Sequence, residues 1–319
     1  MLRLGIVLFP GFQVMGLAMS TVFEFANITA NEAIYEIKLL SEDGGAVPSS
    51  VGFAVNTEPF GRGQFDTILV GGDNDIVPAS AGLLTFLRRA ARTTRRIGAT
   101  CTGAFVLAGA GLLDGRRATT HWFHAQALQR DYPEVAVEPD RIFIIDGPVW
   151  TSAGMTAGID LALAMVEKDL GAEVARQVAK KLVVYHRRAG GQLQYSALLE
   201  LEPRSDRVQT ALAYARENLK AELSVEQLAE SAHLSARQFS RAFRAETGQS
   251  PAKAIEQLRV EAAQVMMASG KHPMDVIARE TGFGDRERMR RAFLRAFGQP
   301  PQVMQRATRA NGEATSARS

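Results

Sequence analysis

Residues 228–243 read LAESAHLSARQFSRAF, and residues 277–293 repeat much of this pattern as IARETGFGDRERMRRAF. Each copy begins with an apolar residue and an alanine and passes through a tight turn to a second apolar residue. Each then ends in a helix with paired apolar and basic positions. This order is typical of helix-turn-helix units, which place their second helix in the major groove of DNA. The repeat therefore predicts two such units in tandem, with double-stranded DNA as a partner.

The turns of the repeat support this prediction. Ser224 and Ser235 are each followed three residues later by a glutamine, which is the spacing of a capping box at a helix start. Gly282 lies at the turn of the second copy, where a left-handed backbone is needed, and His233 takes the same place in the first copy. Both copies therefore contain the start signals and turn residues that two short helices require.

The apolar spacing of each second helix predicts which face is buried. Phe239 and Phe243 are four residues apart, as are Met289 and Phe293, so each pair is predicted to face the core. The opposite faces then present polar side chains to solvent. These are Arg237, Ser240, Arg241 and Arg244 in the first copy, and Arg286, Glu287, Arg290, Arg291 and Arg295 in the second.

A third helix is predicted between the two copies. Ser250 and Pro251 have the types preferred at a helix start, and Gly270 is a typical helix end. A helix over residues 251–269 would be roughly 28 Å long. Because successive turns of DNA are about 34 Å apart, this length suits two units in neighbouring major-groove segments. One chain is therefore expected to bind an asymmetric site.

The composition indicates a two-domain protein with a basic end. The chain has 319 residues, 46% hydrophobic and 22% charged. Residues 205–319 contain 18 Lys and Arg against 13 Asp and Glu, a net charge of +5, whereas the preceding residues carry −2. Positive charge thus accompanies the repeat, where contact with nucleic acid would need it.

The expected location is the cytoplasm. A single cysteine excludes an internal disulfide framework and suits a reducing compartment. The apolar start of the chain ends at Pro10 and Gly11 and lacks the features of a signal peptide. No apolar run approaches the length of a membrane span, so no membrane partner is expected.

The first two-thirds of the chain alternates short apolar runs with helical patterns. This alternation predicts an α/β domain with a mostly parallel sheet and helices on both faces. The predicted strands are 4–9, 34–40, 67–70 and 97–99, and the predicted helices are 15–27, 83–93, 103–110, 158–168 and 172–186. Residues 51–55 and 142–151 are predicted to add a side hairpin and a later strand pair. The predicted domains are residues 1–188 and an all-α domain at 207–307, with a linker at 189–206 and a disordered tail at 308–319.

Two predicted strand ends have the features of a ligand site, because ligands of open α/β sheets bind beyond the carboxyl ends of strands. One is the glycine loop at 70–74, which contains Gly71 and Gly72. The other is GATCTGA at 98–104, where a strand runs into Cys101 and a helix of small residues follows at once. That arrangement is typical of a nucleophile elbow. It predicts a thiol at a helix start, with a lowered pKa and a preference for anions nearby.

At these residues the chain resembles the PfpI/ThiJ proteins, and more closely the GlxA-type regulators of the AraC family. The resemblance is carried by CTGAF at 101–105, GLLDGRRATTHW at 111–122, TSAG at 151–154 and GIDLAL at 158–163, together with the repeat. It implies a class I glutamine-amidotransferase-like, flavodoxin-like N-terminal domain that senses a small molecule, and a homodimer. The resemblance further implies an activator that responds to a nitrogen-containing metabolite, as many relatives do. It also implies base contacts from Arg237, Ser240, Arg241, Arg286, Glu287, Arg290 and Arg291.

Enzymes of the superfamily pair the elbow cysteine with an adjacent histidine or with an acid from the first strand-helix turn. Here Thr102 follows Cys101, and Gly16 stands where the acid is expected. His121 is the available base, but it has no acid to orient it, so the catalytic set is incomplete and no enzyme is predicted. His121 and His124 have no third ligand at a suggestive spacing, so neither a metal nor another cofactor is expected. The predicted ligand-binding residues are Gly71, Gly72, Cys101, Thr102 and His121.

Two other interpretations remain open at this point. One is a cysteine hydrolase or amidase of the PfpI type fused to a DNA-binding domain, which would depend on Cys101. The other is an architectural DNA binder with an inert α/β module, which would show little preference among DNA sequences.

Overall fold

A computed structural model describes residues 1–61, 63–139, 141–184, 188, 194, 201, 205–268, 272–297 and 299–303. The chain divides into two compact units, residues 1–190 and 191–319. Most of the predicted linker at 189–206 and all of the predicted tail at 308–319 lie outside the described residues. The predicted domain boundaries therefore stay predictions.

The first unit is built on one large sheet, whose strand order is β3-β4-β2-β1-β5-β6-β10-β9 among the described residues. The strands from β4 to β10 run parallel, and β3 and β9 pair antiparallel at the two edges. These strands are β1 Leu2–Val7, β2 Tyr35–Ser41, β3 Gly45–Pro48, β4 Ala54–Pro59, β5 Thr67–Val70, β6 Arg96–Thr100, β9 Phe143–Asp146 and β10 Val149–Ser152. Two short strands, β7 Arg117–Ala118 and β8 Ala136–Val137, form a separate parallel pair.

Helices cover both faces of this sheet. They are α1 Ala18–Ala30, α2 Ala81–Ala90, α3 Gly103–Gly109, α4 Ala125–Asp131, α5 Ala157–Leu170 and α6 Ala172–Lys181. In β5, Leu69 packs into the core formed with α1, α5 and α6, whereas Ile68 and Val70 pack into the core formed with α2, α3 and α4. Strands buried on both faces need apolar residues at every position, so they appear in the sequence as continuous apolar runs. The predicted α/β fold with helices on both faces is confirmed.

Some predicted boundaries differ from the structure. The first strand spans residues 2–7 rather than 4–9, because its pairing with β2 begins at Leu2 and ends at Val7, before the turn at Pro10 and Gly11. The predicted side hairpin is β3 and β4, which begins earlier and ends later than residues 51–55. The helix predicted at 172–186 ends at Lys181, and residues 185 and 186 lie outside the described part of the chain.

The described residues of the second unit form helices joined by turns, with no strand among them. Its helices are α7 Asp206–Glu217, α8 Val225–Ser231, α9 Ala236–Thr247, α10 Pro251–Ala268, α11 Met274–Glu280 and α12 Arg286–Phe297. The pairs α8–α9 and α11–α12 are the two predicted helix-turn-helix units, and α10 connects them. Phe239 and Phe243 are buried with α7 and α8, and Met289 and Phe293 are buried with α11. Each helix-turn-helix unit therefore has its own core.

The turn chemistry follows the sequence prediction. Ser224 and Ser235 each form a complete capping box with the glutamine three residues later. His233 and Gly282 both have left-handed backbones, with φ of 54° and 78°. Ser250 accepts a hydrogen bond from the backbone N–H of Lys253 at the start of α10, and the predicted helix end at Gly270 lies outside the described residues. Across the part of the chain that the structure describes, no helix combines the length and apolar character of a membrane span.

Candidate functional site

Cys101 lies at a sharp turn between β6 and α3, at the carboxyl edge of the parallel sheet. Its φ is 54°, a left-handed conformation that is uncommon for a residue with a side chain. The backbone holds it there: its N–H donates to the Ser152 carbonyl at 3.0 Å, and its carbonyl accepts from the Thr120 hydroxyl at 2.8 Å. The predicted elbow is therefore present, held by the end of β10 on one side and by the loop after β7 on the other.

Two glycines allow the backbone to close around the elbow. A Cβ atom on Gly72 would lie 2.9 Å from the Cys101 Cβ and 2.9 Å from the Thr102 nitrogen. A Cβ atom on Gly154 would lie 2.8 Å from the Cys101 nitrogen, and Gly154 has a φ of 84°. Because real Cβ contacts are not this short, only glycine fits at either position. The loops after β5 and β10 thus meet at Cys101.

Thr102 has a structural task at this site. Its hydroxyl donates to the Asp73 carbonyl at 2.9 Å and accepts from the Asp73 N–H at 2.7 Å, and the side chain is buried. The hydroxyl therefore fastens the glycine loop to the elbow and already uses its donor in doing so. A ligand would therefore contact atoms of Thr102 other than the hydroxyl proton. The sequence prediction did not specify which atoms of Thr102 would contact a ligand.

The expectation of a lowered pKa for the Cys101 thiol is wrong. Burial raises this pKa above its ordinary value, and the nearby Asp73 carboxylate raises it further, while a hydrogen bond from the Thr102 backbone opposes both. The helix that follows is only seven residues long, so its dipole cannot offset the removal of the thiolate from water. The thiol is consequently protonated near neutral pH.

Asp73 is the residue of this site that the sequence reasoning passed over. It directly follows Gly72 in the quoted glycine loop, so its position was visible. The structure brings its carboxylate against Gly11, on which a Cβ atom would meet the Asp73 side chain, and close enough to Cys101 to affect the thiol. The acid at the elbow thus comes from the loop after β5.

The position expected to carry the catalytic acid holds no carboxylate. A Cβ atom on Gly16 would have the Gly71 Cα as its nearest neighbour, at 3.9 Å, so a side chain there would extend over the glycine loop. Glu24, the nearest acid along the chain, is exposed on α1. The geometry of an elbow is therefore retained without the acid that related enzymes use.

His121 follows Thr120, whose hydroxyl bonds to the Cys101 carbonyl, so the elbow and this histidine share one group of loops. The His121 Nδ1 accepts a 3.4 Å hydrogen bond from the Phe123 N–H. Burial and the neighbouring His124 lower the pKa of His121, which keeps the imidazole neutral near pH 7. Trp122 and Phe123 are exposed beside it. The loop thus adds a neutral imidazole and aromatic surface near the elbow.

The second unit carries the predicted DNA-facing residues on α9 and α12. Arg237, Arg241, Arg286, Glu287 and Arg291 are exposed, and Ser240 and Arg290 are partly exposed. Arg286 forms an ion pair with Asp275 of α11, and Arg290 donates to Glu287 at 2.8 Å. Within the described residues, Arg237, Arg241 and Arg291 form no ion pair. Three arginines are thus free to contact DNA.

Two family models match the chain, one in each unit. The DJ-1/PfpI family model matches residues 6–168, and a helix-turn-helix domain model matches residues 228–307. The regulator CdhR of Pseudomonas aeruginosa is 32% identical, with 92% of this chain and 89% of that protein aligned. The regulator GlxA of Rhizobium meliloti is 31% identical, with 95% of both chains aligned.

The chain belongs to the helix-turn-helix transcriptional regulators that carry a DJ-1/PfpI domain. The resemblance to GlxA-type regulators is thereby confirmed, and so is DNA-binding regulation as the class of function.

Two further likenesses cover only part of this regulator. An isonitrile hydratase of Pseudomonas putida is 34% identical, with 57% of this chain and 78% of the enzyme aligned. The crystal structure of an AraC family regulator from Pseudomonas putida covers 57% of this chain and all of its own, at 22% identity and a TM-score of 0.53. The latter likeness supports the fold alone. The proteins similar to this chain thus include an enzyme as well as regulators.

Proposed function

We propose that this regulator binds an asymmetric duplex site through both helix-turn-helix units and that a small effector at the elbow changes this binding. One observation carries the DNA half of the proposal: α9 and α12 both expose arginines, and the 18-residue helix α10 joins their units. That helix is roughly 27 Å long, close to the about 34 Å between successive turns of DNA. The proposed base contacts are those of Arg237, Ser240, Arg241, Arg286, Glu287, Arg290 and Arg291.

The effector half rests on the loops around Cys101. Gly71, Gly72, Cys101, Thr102 and His121 are the proposed contacts. The Asp73 carboxylate makes the electrostatic potential negative near the thiol, which favours an effector with a cationic group or an N–H donor. This matches the nitrogen-containing metabolites that the family resemblance implies. We further propose that the regulator is a cytoplasmic activator and works as a homodimer.

A partly buried ion pair between Asp160 and Arg188 connects the elbow to the end of the first unit. Asp160, in the first turn of α5, accepts from the Arg188 backbone N–H and from its Nε, both at 2.9 Å. The Arg188 Nη2 also donates to the Thr156 hydroxyl at 2.8 Å. Thr156 lies two residues after Gly154, which packs directly on Cys101. An effector that moves the loop after β10 would therefore move Arg188, the proposed path of the signal.

DNA selection from a genomic library tests this proposal. The purified regulator is mixed with sheared genomic DNA at physiological salt, and the retained fragments are sequenced. We expect a few sharp peaks that share a site of about two helical turns, because each unit reads one major-groove segment. Diffuse retention that disappears with added salt would contradict sequence-specific binding. Metabolites of the genes beside the peaks are then titrated, and a true effector shifts the affinity of the same fragment.

Cysteine catalysis is the second candidate, because the isonitrile hydratase is 34% identical to this chain over 187 residues. The raised pKa of Cys101 argues against it, since the thiolate is the reactive form. We expect the alkylation rate of Cys101 by iodoacetamide to rise about tenfold per pH unit from pH 7 to pH 9 without reaching a plateau. Because this is the chain's only cysteine, mass spectrometry reports the reaction without interference. A plateau below pH 7 would instead favour an enzyme.

A further inference from the structure

A cleft of about 300 Å³ lies in the second unit between α10 and α12. Its walls carry one glutamate and four arginines, which are Glu256, Arg259, Arg288, Arg291 and Arg295. Concave surfaces with an excess of one sign of charge focus the electrostatic potential and attract ions of the opposite sign, and here the positive charges exceed the negative. The cleft is therefore suited to an anion.

The four arginines differ in how their donors are used. Arg259 donates to the carbonyls of Leu219 and Ala221 at 3.2 and 2.8 Å, so it holds the loop before α8. Arg295 donates to Glu256 at 3.0 Å. Arg288 has a single 3.5 Å ion pair, to Asp285. These pairings leave the donors of Arg288 and Arg291 available in the cleft.

Arg288, Arg291 and Arg295 occupy successive turns on one side of α12. Seven residues are close to two helical turns, so the three side chains form a stripe. The stripe borders the proposed DNA-reading surface but lies toward α10, whereas base edges are read mainly by the first residues of a recognition helix. A duplex along α12 would thus bring its sugar-phosphate backbone to this side.

We propose that the cleft binds a backbone phosphate of the DNA site, with Arg288 and Arg291 as its donors. This inference rests on the proposed DNA interface, and it changes the role of Arg291 from reading a base to positioning the duplex. Glu256 limits the affinity, because its carboxylate engages Arg295 and repels the phosphate. The remaining candidates on α12 for base contacts are Arg286, Glu287 and Arg290.

Salt-dependent DNA binding of variants tests the cleft, with the selected DNA site and a set of single-base variants of it. Arg288→Gln should weaken binding to every sequence alike, by roughly fivefold at 0.15 M salt, and should lower the slope of log affinity against log salt by about 1. Glu256→Gln should act in the opposite direction, with tighter binding and a steeper slope, because Arg295 becomes available. Arg216→Gln, which removes an exposed arginine of α7 outside the cleft, serves as the matched control.

The outcomes separate this inference from the proposed function. If the unaltered chain selects no DNA sequence, the proposed function itself fails. If it does, but Arg288→Gln leaves the slope unchanged or alters the ranking of the base variants, the phosphate site is wrong. A third outcome also contradicts it: inorganic phosphate raises the melting temperature of the unaltered chain but not of Arg288→Gln, while both proteins bind DNA equally well. The cleft would then bind a free anion rather than a phosphate of DNA. Circular dichroism melting of each variant ensures that only folded protein is compared.

Discussion

Gly282→Ala is expected to weaken sequence-specific DNA binding by at least about 100-fold. Gly282 has a φ of 78°, and a left-handed backbone costs an alanine roughly 1–2 kcal/mol. The added Cβ would also overlap the Leu219 carbonyl oxygen and lie 2.9 Å from the carbonyl carbon. It would lie 2.8 Å from the Arg259 Nε, which itself bonds to that carbonyl. The turn between α11 and α12 therefore cannot accept a side chain without moving the loop before α8.

The expected loss is large because the clash involves backbone rather than a flexible side chain. We expect the free energy of unfolding of the second unit to fall by roughly 3 kcal/mol or more. If α12 is displaced, several base contacts are lost, each worth about 1–3 kcal/mol, so affinity should drop by at least about 100-fold. Urea unfolding and fluorescence anisotropy with the selected DNA site measure the two effects.

Gly284→Ala is the matched control for this substitution. Gly284 has a φ of 82°, but a Cβ atom there would have no heavy atom within 4 Å. Its cost should therefore be only the conformational part, roughly 1–2 kcal/mol, with DNA binding largely retained. His233→Gly, at the equivalent turn of the first unit, should change stability by less than about 1 kcal/mol. Equal losses from Gly282→Ala and Gly284→Ala would show that the contact with Leu219 is unimportant.

The second unit was predictable in detail because its signals are local. A capping box links residues three apart, and a core pair such as Phe239 and Phe243 links residues four apart. Each such feature involves only residues of one helix and its cap, so it does not depend on the rest of the fold. The contact of Gly282 with Leu219 is of another kind, because 63 residues separate them along the chain and no pattern in the sequence connects them.

The elbow was predictable in its geometry but not in its electrostatics. The sequence around Cys101 predicts the turn, since a strand, one residue and a helix of small residues follow one another. The thiol pKa depends instead on burial and on Asp73, which is 28 residues away along the chain and adjacent only in the folded sheet. The sequence around Cys101 shows the helix start, which would lower the thiol pKa, but neither the burial nor the Asp73 charge that raises it.

No local sequence pattern predicts the buried charge cluster at the opposite end of the sheet from the elbow. Tyr35 begins β2, Arg96 begins β6, and Asp169 lies near the end of α5. The Asp169 carboxylate accepts from the Tyr35 hydroxyl at 2.9 Å and pairs with Arg96, and both charged side chains are almost fully buried. Burial and the Asp169 charge raise the pKa of Tyr35, so its hydroxyl stays a donor. The cluster ties α5 to two strands.

Asp169→Asn is expected to destabilise the first unit by about 3–5 kcal/mol, because it leaves the Arg96 charge buried without a counter-ion. Other hydrogen bonds do not replace this counter-ion, since the Arg96 Nη1 is buried and has no hydrogen-bond partner within the described residues. The Trp150 ring, 5.0 Å from the guanidinium carbon, can compensate only in part. Domain stabilities are typically about 5–15 kcal/mol, so this loss is a large fraction. Urea unfolding followed by tryptophan fluorescence measures it, since both Trp122 and Trp150 lie in the first unit.

Two further variants distinguish a buried ion pair from general damage to the core. Arg95 also pairs with Asp169 but is half exposed, so Arg95→Gln should cost less than about 1 kcal/mol. Arg96→Met combined with Asp169→Asn should recover part of the stability lost in the single variant, because no unpaired charge remains buried. If the double variant is no more stable than Asp169→Asn alone, the cost comes from lost packing or from the Tyr35 hydrogen bond. The charge would then not be what holds α5 against the sheet.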